Sequence, residues 1–379
     1  MGNITGYSYN FGDAKVRDVN EAFAALIANK PYLISLIGQG LAATNHKVEW
    51  EEDQFVPTQT TIASFPSGST GANATTINVA DATGIVAGTI LRFTSSTDAT
   101  RTEKVKVTAV STNALTVTRL YGSSATSTLA VGDKVFRLAN PLAENSTAGT
   151  GNARIPSFNY NYTQIFDAVP EVSRTSQQTR LYGIDQAYNY AAMAKMAEIS
   201  YDLNNALIHG VRVERSGSEA GTMGGILQFL AGGNVDTTGG AVSATIINNM
   251  VEAIFQDGAV ADGLAIVCNS NQARKLSALD GSLLQIQRAD SATGHQVGTF
   301  VSDFVAGGQH SIVVDPSFPK DQIAILNLNE IKFRTMQPMV DMDATAPGQD
   351  GKKGRLLTEL SLEVKNGKTA HALATGLTA

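Results

Sequence analysis

The chain has 379 residues, enough for two or three domains at the usual size of about 150 residues each. Hydrophobic residues make up 43% of it, charged residues only 16%, and the net charge is −6. That acidic balance excludes tight nucleic-acid binding by the whole surface, and so sparse a charge suits a protein that buries its surface against copies of itself.

Met1 to Lys15 is polar and reads as an extended arm, without the basic and apolar regions of a signal peptide. Val16, Val19, Phe23, Leu26 and Ile27 recur at helical spacing and predict a short amphipathic helix over Val16–Ala28, ended by Pro31. Tyr32 to Ile37 is apolar, and Gly38 and Gly40 then break the pattern. Lys47-Val48-Glu49-Trp50-Glu51 alternates, which predicts a strand within His46–Phe55.

Ser64 to Gly71 is a Ser/Gly/Thr linker, after which the composition turns to Thr, Val, Ser and Ala. Strands are expected at Thr75–Val79, Thr89–Thr94, Glu103–Val110, Ala114–Arg119 and Asp133–Leu138, a small all-β module. A second small-residue linker, Ala143 to Gly151, closes it, so the module reads as an inserted domain. It is also chemically distinct. Ser64 to Ala139 holds seven basic and four acidic residues, which makes it +3 and leaves −9 for the remainder. This is either an accident of composition or an attraction to an acidic neighbour.

A polar, aromatic strand is expected over Asn159–Phe166. The helix predicted over 184–209 contains no Gly or Pro and would bury Ile184, Tyr188, Ala191, Met196, Leu203 and Leu207 along one stripe. Asp185 and His209 complement its dipole, and Gly210 would close it. Met223 to Gly240 reads as a glycine-rich loop, and Ser243 as the N-cap of a helix reaching Gln256. Leu264 to Cys268 reads as a buried strand, with the lone Cys268 a small hydrophobe. A helix over Asn271–Ala278 and strands near Ser311–Val314, Gln322–Leu326 and Ile331–Thr335 follow. Leu356 to Leu373 reads as a hairpin around Asn366-Gly367. No apolar run approaches the roughly 18 residues that span a membrane.

The candidates for catalysis are weak. Gly38-Gln39-Gly40-Leu41-Ala42-Ala43 matches a dinucleotide fingerprint, but a strand rather than a helix is expected after it, and no acid lies between Asp53 and Asp81. Glu49, Glu51, Glu52 and Asp53 form an acidic cluster that reads as a solvated or partner-facing edge. The five histidines have no metal-ligand spacing. The chain therefore reads as a non-enzyme without cofactor or metal.

Two short motifs in the flanking strands, His46-Lys47-Val48-Glu49-Trp50 and Tyr162-Thr163-Gln164-Ile165-Phe166, together with the long helix that follows them, resemble the tailed-bacteriophage major capsid proteins. The resemblance covers nearly the whole chain outside the β module. It implies an α+β fold of the Hong Kong 97 type with a small all-β insert. By this resemblance 1–40 is an N-terminal arm, 41–63 and 141–171 an extended E-loop hairpin, and 64–140 a domain inserted in it. Likewise 172–222 and 331–379 form a peripheral domain with its spine helix, and 223–330 an axial domain.

The implied function is self-assembly into pentamers and hexamers of an icosahedral head holding double-stranded DNA. Separate scaffold, portal and decoration proteins would be further partners, with no membrane, and assembly would occur in the host cytoplasm before residence in the virion. The resemblance marks His46, Glu49, Trp50, Glu52, Asp53, Arg154, Tyr162, Gln164 and Phe166 as candidate intersubunit residues of the E-loop. The insert is expected outside the floor of the shell, against neighbouring capsomers or decoration. Glycines at 38–40, 217–225 and 232–240 are expected to let one sequence adopt slightly different shapes. The competing readings are a cellular nanocompartment shell of the same fold and a surface or adhesive binding protein.

Overall fold

A computed structural model describes residues 32–52, 58–66, 71–96, 98, 100–123, 128–141, 144, 156–179, 186–260, 262–279, 284–287, 297–303 and 308–378. The helix expected over Val16–Ala28 lies outside them. The chain divides into two compact units, one comprising Met1–Glu52 with Ser157–Ala379, the other Asp53–Pro156.

The first unit opens with α1 (Tyr32–Leu36), β1 (Gly38–Gln39) and β2 (Lys47–Glu52). The second unit holds β3 (Gln59–Ser64), β4 (Thr76–Val79), β5 (Ile90–Thr94), β6 (Thr102–Ser111), β7 (Ala114–Thr118) and β8 (Lys134–Ala139). The first unit resumes with β9 (Ser157–Tyr162), β10 (Gln164–Ala168), β11 (Glu171–Ser173), α2 (Arg174–Gln178), α3 (Ala187–His209), α4 (Ile226–Leu230) and β12 (Asn234–Asp236). It continues through α5 (Ala244–Gln256), β13 (Ala265–Cys268), α6 (Ser270–Ser277), β14 (Leu284–Gln287), β15 (Val297–Val301), β16 (Gln309–Val314) and β17 (Ile323–Leu326). A long hairpin, β18 (Ile331–Asp343) and β19 (Gly351–Val364), precedes the last strand, β20 (Ala372–Ala374).

The second unit is a closed barrel in the order β3-β4-β7-β6-β5-β8. Alternation builds it: Leu91 and Phe93, Val105 and Val107, and Leu115 and Val117 point inward and are buried. The barrel begins before the expected boundary at residue 64, because β3 pairs with both β4 and β8 and closes it. Inside, Glu103 receives Arg119 through Nε at 2.9 Å and Nη2 at 2.5 Å, so a buried carboxylate keeps a bidentate cation.

Two sheets organise the first unit. β1, β18, β19 and β10 follow one another in the smaller, and β11 also pairs with β19. The larger runs β12-β20-β17-β13-β16-β15-β14. Its strand β13 lies between parallel β16 and antiparallel β17, so all four of its residues are buried and its sequence is continuously apolar. Against this sheet α5 packs Ile246, Ile247, Met250, Val251 and Ile254. The Ser243 hydroxyl caps α5 by accepting from the Ile246 amide at 3.3 Å. Burial pushes the Cys268 thiol up to about 12. Cys268 is therefore expected to resist thiol reagents at neutral pH in the native protein and to react fully in denaturant, as intact-mass labelling would show.

The structure departs from the sequence-based expectations at several points. The stripe on α3 is rotated. Tyr188, Ala192, Ile199, Leu207 and Ile208 are buried, whereas Met196 is exposed beside Tyr190 and Met193. Ile184 and Asp185 lie outside the described residues. The expected strand Asn159–Phe166 is two strands, because after Thr163 the chain leaves its pairing with β2 for β19. The stretch Met223–Gly240 contains α4 and β12.

There is no hairpin at Asn366-Gly367. The turn is present, with Asn366 at φ 50°, but it carries the chain from one sheet into the other, where β20 pairs with β12 and β17. The fingerprint-like glycines begin in β1, parallel to β18, and the Gly40 amide donates to Phe333 O at 2.8 Å. They form a sheet edge and no helix follows them.

His371 lies buried behind β17. Its Nδ1 accepts from the Asn327 amide at 3.1 Å, and its Nε2 faces Lys365 O at 3.2 Å, which a neutral ring protonated at Nε2 satisfies. Burial lowers its pKa from 6.5 to about 4. The neutral form is favoured only in the folded chain, so this contribution is full above pH 6.5 and is lost as pH falls through about 4. Stability is expected to fall by up to about 1.4 kcal/mol per pH unit across that window. Denaturant titrations should show a shallower dependence in His371→Gln.

Candidate assembly interface

β2 and β9 form a two-stranded antiparallel ribbon in the register Lys47↔Tyr162, Val48↔Asn161, Glu49↔Tyr160, Trp50↔Asn159, Glu51↔Phe158 and Glu52↔Ser157. Opposed residues share a face. One face therefore carries Val48, Trp50, Glu52, Asn159 and Asn161, and the other Lys47, Glu49, Glu51, Phe158, Tyr160 and Tyr162.

The first face is locked into its own subunit. Trp50 is buried with its ring 5.7 Å from that of Phe229, and its Nε1 donates to Glu52 Oε1 at 2.7 Å. The same oxygen accepts from the Asn366 amide at 3.1 Å and Asn159 Nδ2 at 3.3 Å. Asn161 is buried and its side chain makes four hydrogen bonds, one of them accepted from the adjacent Tyr162 amide at 2.9 Å. Its Nδ2 donates to Leu362 O at 2.7 Å and Gly224 O at 3.1 Å, and its Oδ1 accepts from the Gly224 amide at 2.7 Å. One side chain thus ties the ribbon to β19 and to the loop before α4.

The second face is partly covered and partly open. Arg212 lies over the Tyr160 ring with Cζ 3.9 Å from its centroid, and its Nη1 donates to Tyr160 O at 2.6 Å. Lys47 also approaches that ring, at 4.5 Å, and pairs with Glu49 at 2.5 Å. His46 stacks on Tyr162, with centroids 6.4 Å apart. Desolvation and the nearby Glu214 carboxylate raise the Tyr162 phenol above its usual pKa. At the far end Phe158 is 71% exposed, opposite exposed Glu51.

The candidate residues therefore separate. Trp50, Glu52 and Phe166 point into their own subunit, Tyr162 is buried, and Gln164 Oε1 accepts from the Met223 amide at 3.1 Å. His46 and Glu49 are exposed, and Asp53 and Arg154 lie outside the described residues. Sequence reasoning missed Phe158, Asn161 and Arg212. The alternation of Asn159 and Asn161 with Tyr160 and Tyr162 was the available signal, since it assigns amides to one face and aromatics to the other. Among the described residues no group of three or more His, Cys, Asp or Glu side chains could hold a metal, and no helix is long and apolar enough to cross a membrane.

A family model described as SU10 major capsid protein matches residues 3–378. The chain belongs to the SU10 major capsid protein family. No curated protein matches it. Among solved structures, the Cyanophage A-1(L) capsid is similar at 11% identity over 98% of this chain and 100% of that one, with a TM-score of 0.52. The capsid of an empty GTA particle is similar at 12% identity over 97% of each chain, with a TM-score of 0.51. Mycobacterium phage Bobi gives 9% identity over 99% and 100%, with a TM-score of 0.50. Identities this low speak to the fold alone, and that fold is of the Hong Kong 97 capsid type. The SU10-type capsid protein is thus a structural, non-enzymatic virion component that self-assembles into a shell.

Proposed function

We propose that the protein forms pentamers and hexamers of an icosahedral head around packaged double-stranded DNA. The β2–β9 ribbon is the base of an E-loop, and the β module, whose barrel begins at β3 rather than at residue 64, is inserted in it. Residues 172–222 with the β18–β19 hairpin serve as the peripheral domain, and 223–330 with β20 as the axial domain. Scaffold, portal and decoration proteins are further partners, and assembly takes place in the host cytoplasm.

The observation that supports this reading is the division of the ribbon. One face is fixed in its own subunit, while the other ends in Phe158, a large apolar side chain left in water. Isolated exposed apolar residues are ordinary, but clusters mark contact surfaces. Further large apolar side chains are exposed at short spacing along α3, at Tyr190, Met193 and Met196, and along β18, at Met336, Met339, Val340 and Met342.

Electron microscopy of the purified chain tests the proposal. Closed particles, or rings of five and six, are expected. A chain that stays monomeric even with scaffold co-expressed would overturn it. Phe158→Asp is expected to lower particle yield at least tenfold without changing the unfolding midpoint of the monomer. Unchanged yield would remove the ribbon from the contact surface.

A further inference from the structure

The barrel exterior is chemically divided. β3, β4 and β7 contain no charged residue. The outward positions of β8, β5 and β6 carry Lys134, Arg92, Lys104 and Lys106, all exposed. These strands are neighbours, and the register sets the cations close together. Arg92 lies directly opposite Lys104, Lys106 is opposite Ile90, and Lys134 is opposite Thr94.

Two of the barrel's acids are withdrawn from this surface. Glu103 is buried against Arg119, and buried Asp133 accepts from the Ser96 amide at 2.9 Å and the Ala130 amide at 2.7 Å. The exposed acids Asp81 and Asp98 are engaged in turns, where each accepts from an amide two residues on. Exposed and gathered on one side of the barrel, these cations present a positive face to an anionic partner.

Charge identifies the partner. The unit Asp53–Pro156 holds eight basic and six acidic residues, whereas the rest of the chain holds twenty and twenty-eight. On the outer side of a self-assembling shell, away from packaged DNA, the acidic surface present at the highest local concentration belongs to other copies of this chain. We propose that the Arg92–Lys104–Lys106–Lys134 face docks on the acidic unit of a second copy, giving the shell a salt-sensitive contact. This deepens the shell reading and rests on it, but does not depend on the E-loop assignment.

The test is sedimentation velocity and electron microscopy of the full chain at low and high salt. The wild type is compared with the quadruple variant Arg92→Glu, Lys104→Glu, Lys106→Glu, Lys134→Glu and with the milder pair Lys104→Gln, Lys106→Gln. The wild type is expected to associate at low salt and to weaken as salt rises. The quadruple variant should associate at least tenfold more weakly, and the pair should fall between them, with the circular dichroism of both unchanged. A wild type that does not associate overturns both the shell reading and this contact. A wild type and variants that associate equally overturn the contact alone. Equal association with lost binding of dextran sulfate also overturns it, and assigns the face to a foreign polyanion. If the quadruple variant misfolds, the pair decides, and equal association of a folded pair with the wild type overturns the proposal.

Discussion

Asn161→Leu is expected to destabilise the larger unit by about 4 kcal/mol. The exchange nearly conserves volume, so the effect comes from hydrogen bonds. It strips partners from the Gly224 and Tyr162 amides, Gly224 O and Leu362 O, all at a site closed to water. Each buried polar group left unpaired costs about 1–3 kcal/mol. Asn161→Asp should also destabilise, because it keeps the acceptor for the Gly224 amide but sets a carboxylate against two carbonyls. The single tryptophan, Trp50, lies in the same ribbon, so its fluorescence follows this unit's transition in denaturant. The barrel's own transition, read by far-ultraviolet circular dichroism, should stay in place. A shift in both would mean that the two units unfold together.

The second large effect is expected at Gly225, where Ala should cost about 3 kcal/mol, at the upper end of overpacking penalties. A methyl group there would sit 2.6 Å from Gly210 N and 2.7 Å from Ile208 O, both backbone atoms that cannot turn aside. The Gly225 amide also donates to Gly210 O at 2.8 Å, which holds the end of α3 against the start of α4. Gly224 beside it differs. A methyl group there meets side chains, Gln228 Oε1 at 2.5 Å and Arg212 Cβ and the Phe229 ring at 3.2 Å, so Gly224→Ala displaces the Gln228 amide from its bond to the Arg212 amide and should cost about 1–2 kcal/mol, less than Gly225→Ala. The sequence-based expectation treated this glycine pair as a source of shape change. The structure makes Gly225 a point of close backbone packing, so its substitution should lower the melting temperature of the monomer before any particle forms.

Local patterns were readable where one residue's neighbours in sequence decide its burial. The barrel strands alternate cleanly, α5 carries its own cap in Ser243, and β13 is apolar throughout because it is covered on all sides. What was not readable depends on distant partners. Trp50 resembled a residue reaching for a neighbouring subunit, yet Phe229 packs on its ring and Asn366 holds the Glu52 carboxylate to which it donates, and neither Phe229 nor Asn366 is visible from residue 50. The Asn366-Gly367 turn is a sound local signal that says nothing about which sheet the next strand joins. β18 continues beyond Pro338 through bulges at Thr335/Gln337 and Gln337/Val340, sustained by pairing with β19 rather than by alternation. The exposed Phe158 and Met193 look like core residues until the fold leaves them outside.

Glu52 and Ser157, where the chain leaves the ribbon and re-enters it, are cross-strand partners, so their Cα atoms are about 5 Å apart. About a hundred residues therefore enter and leave through a gap that a two-residue turn would bridge. A genetic exchange that replaced everything between these positions would have to respect a single strand pairing. Any compact module whose ends lie that close together could take its place without disturbing the register of the strand pair that receives it.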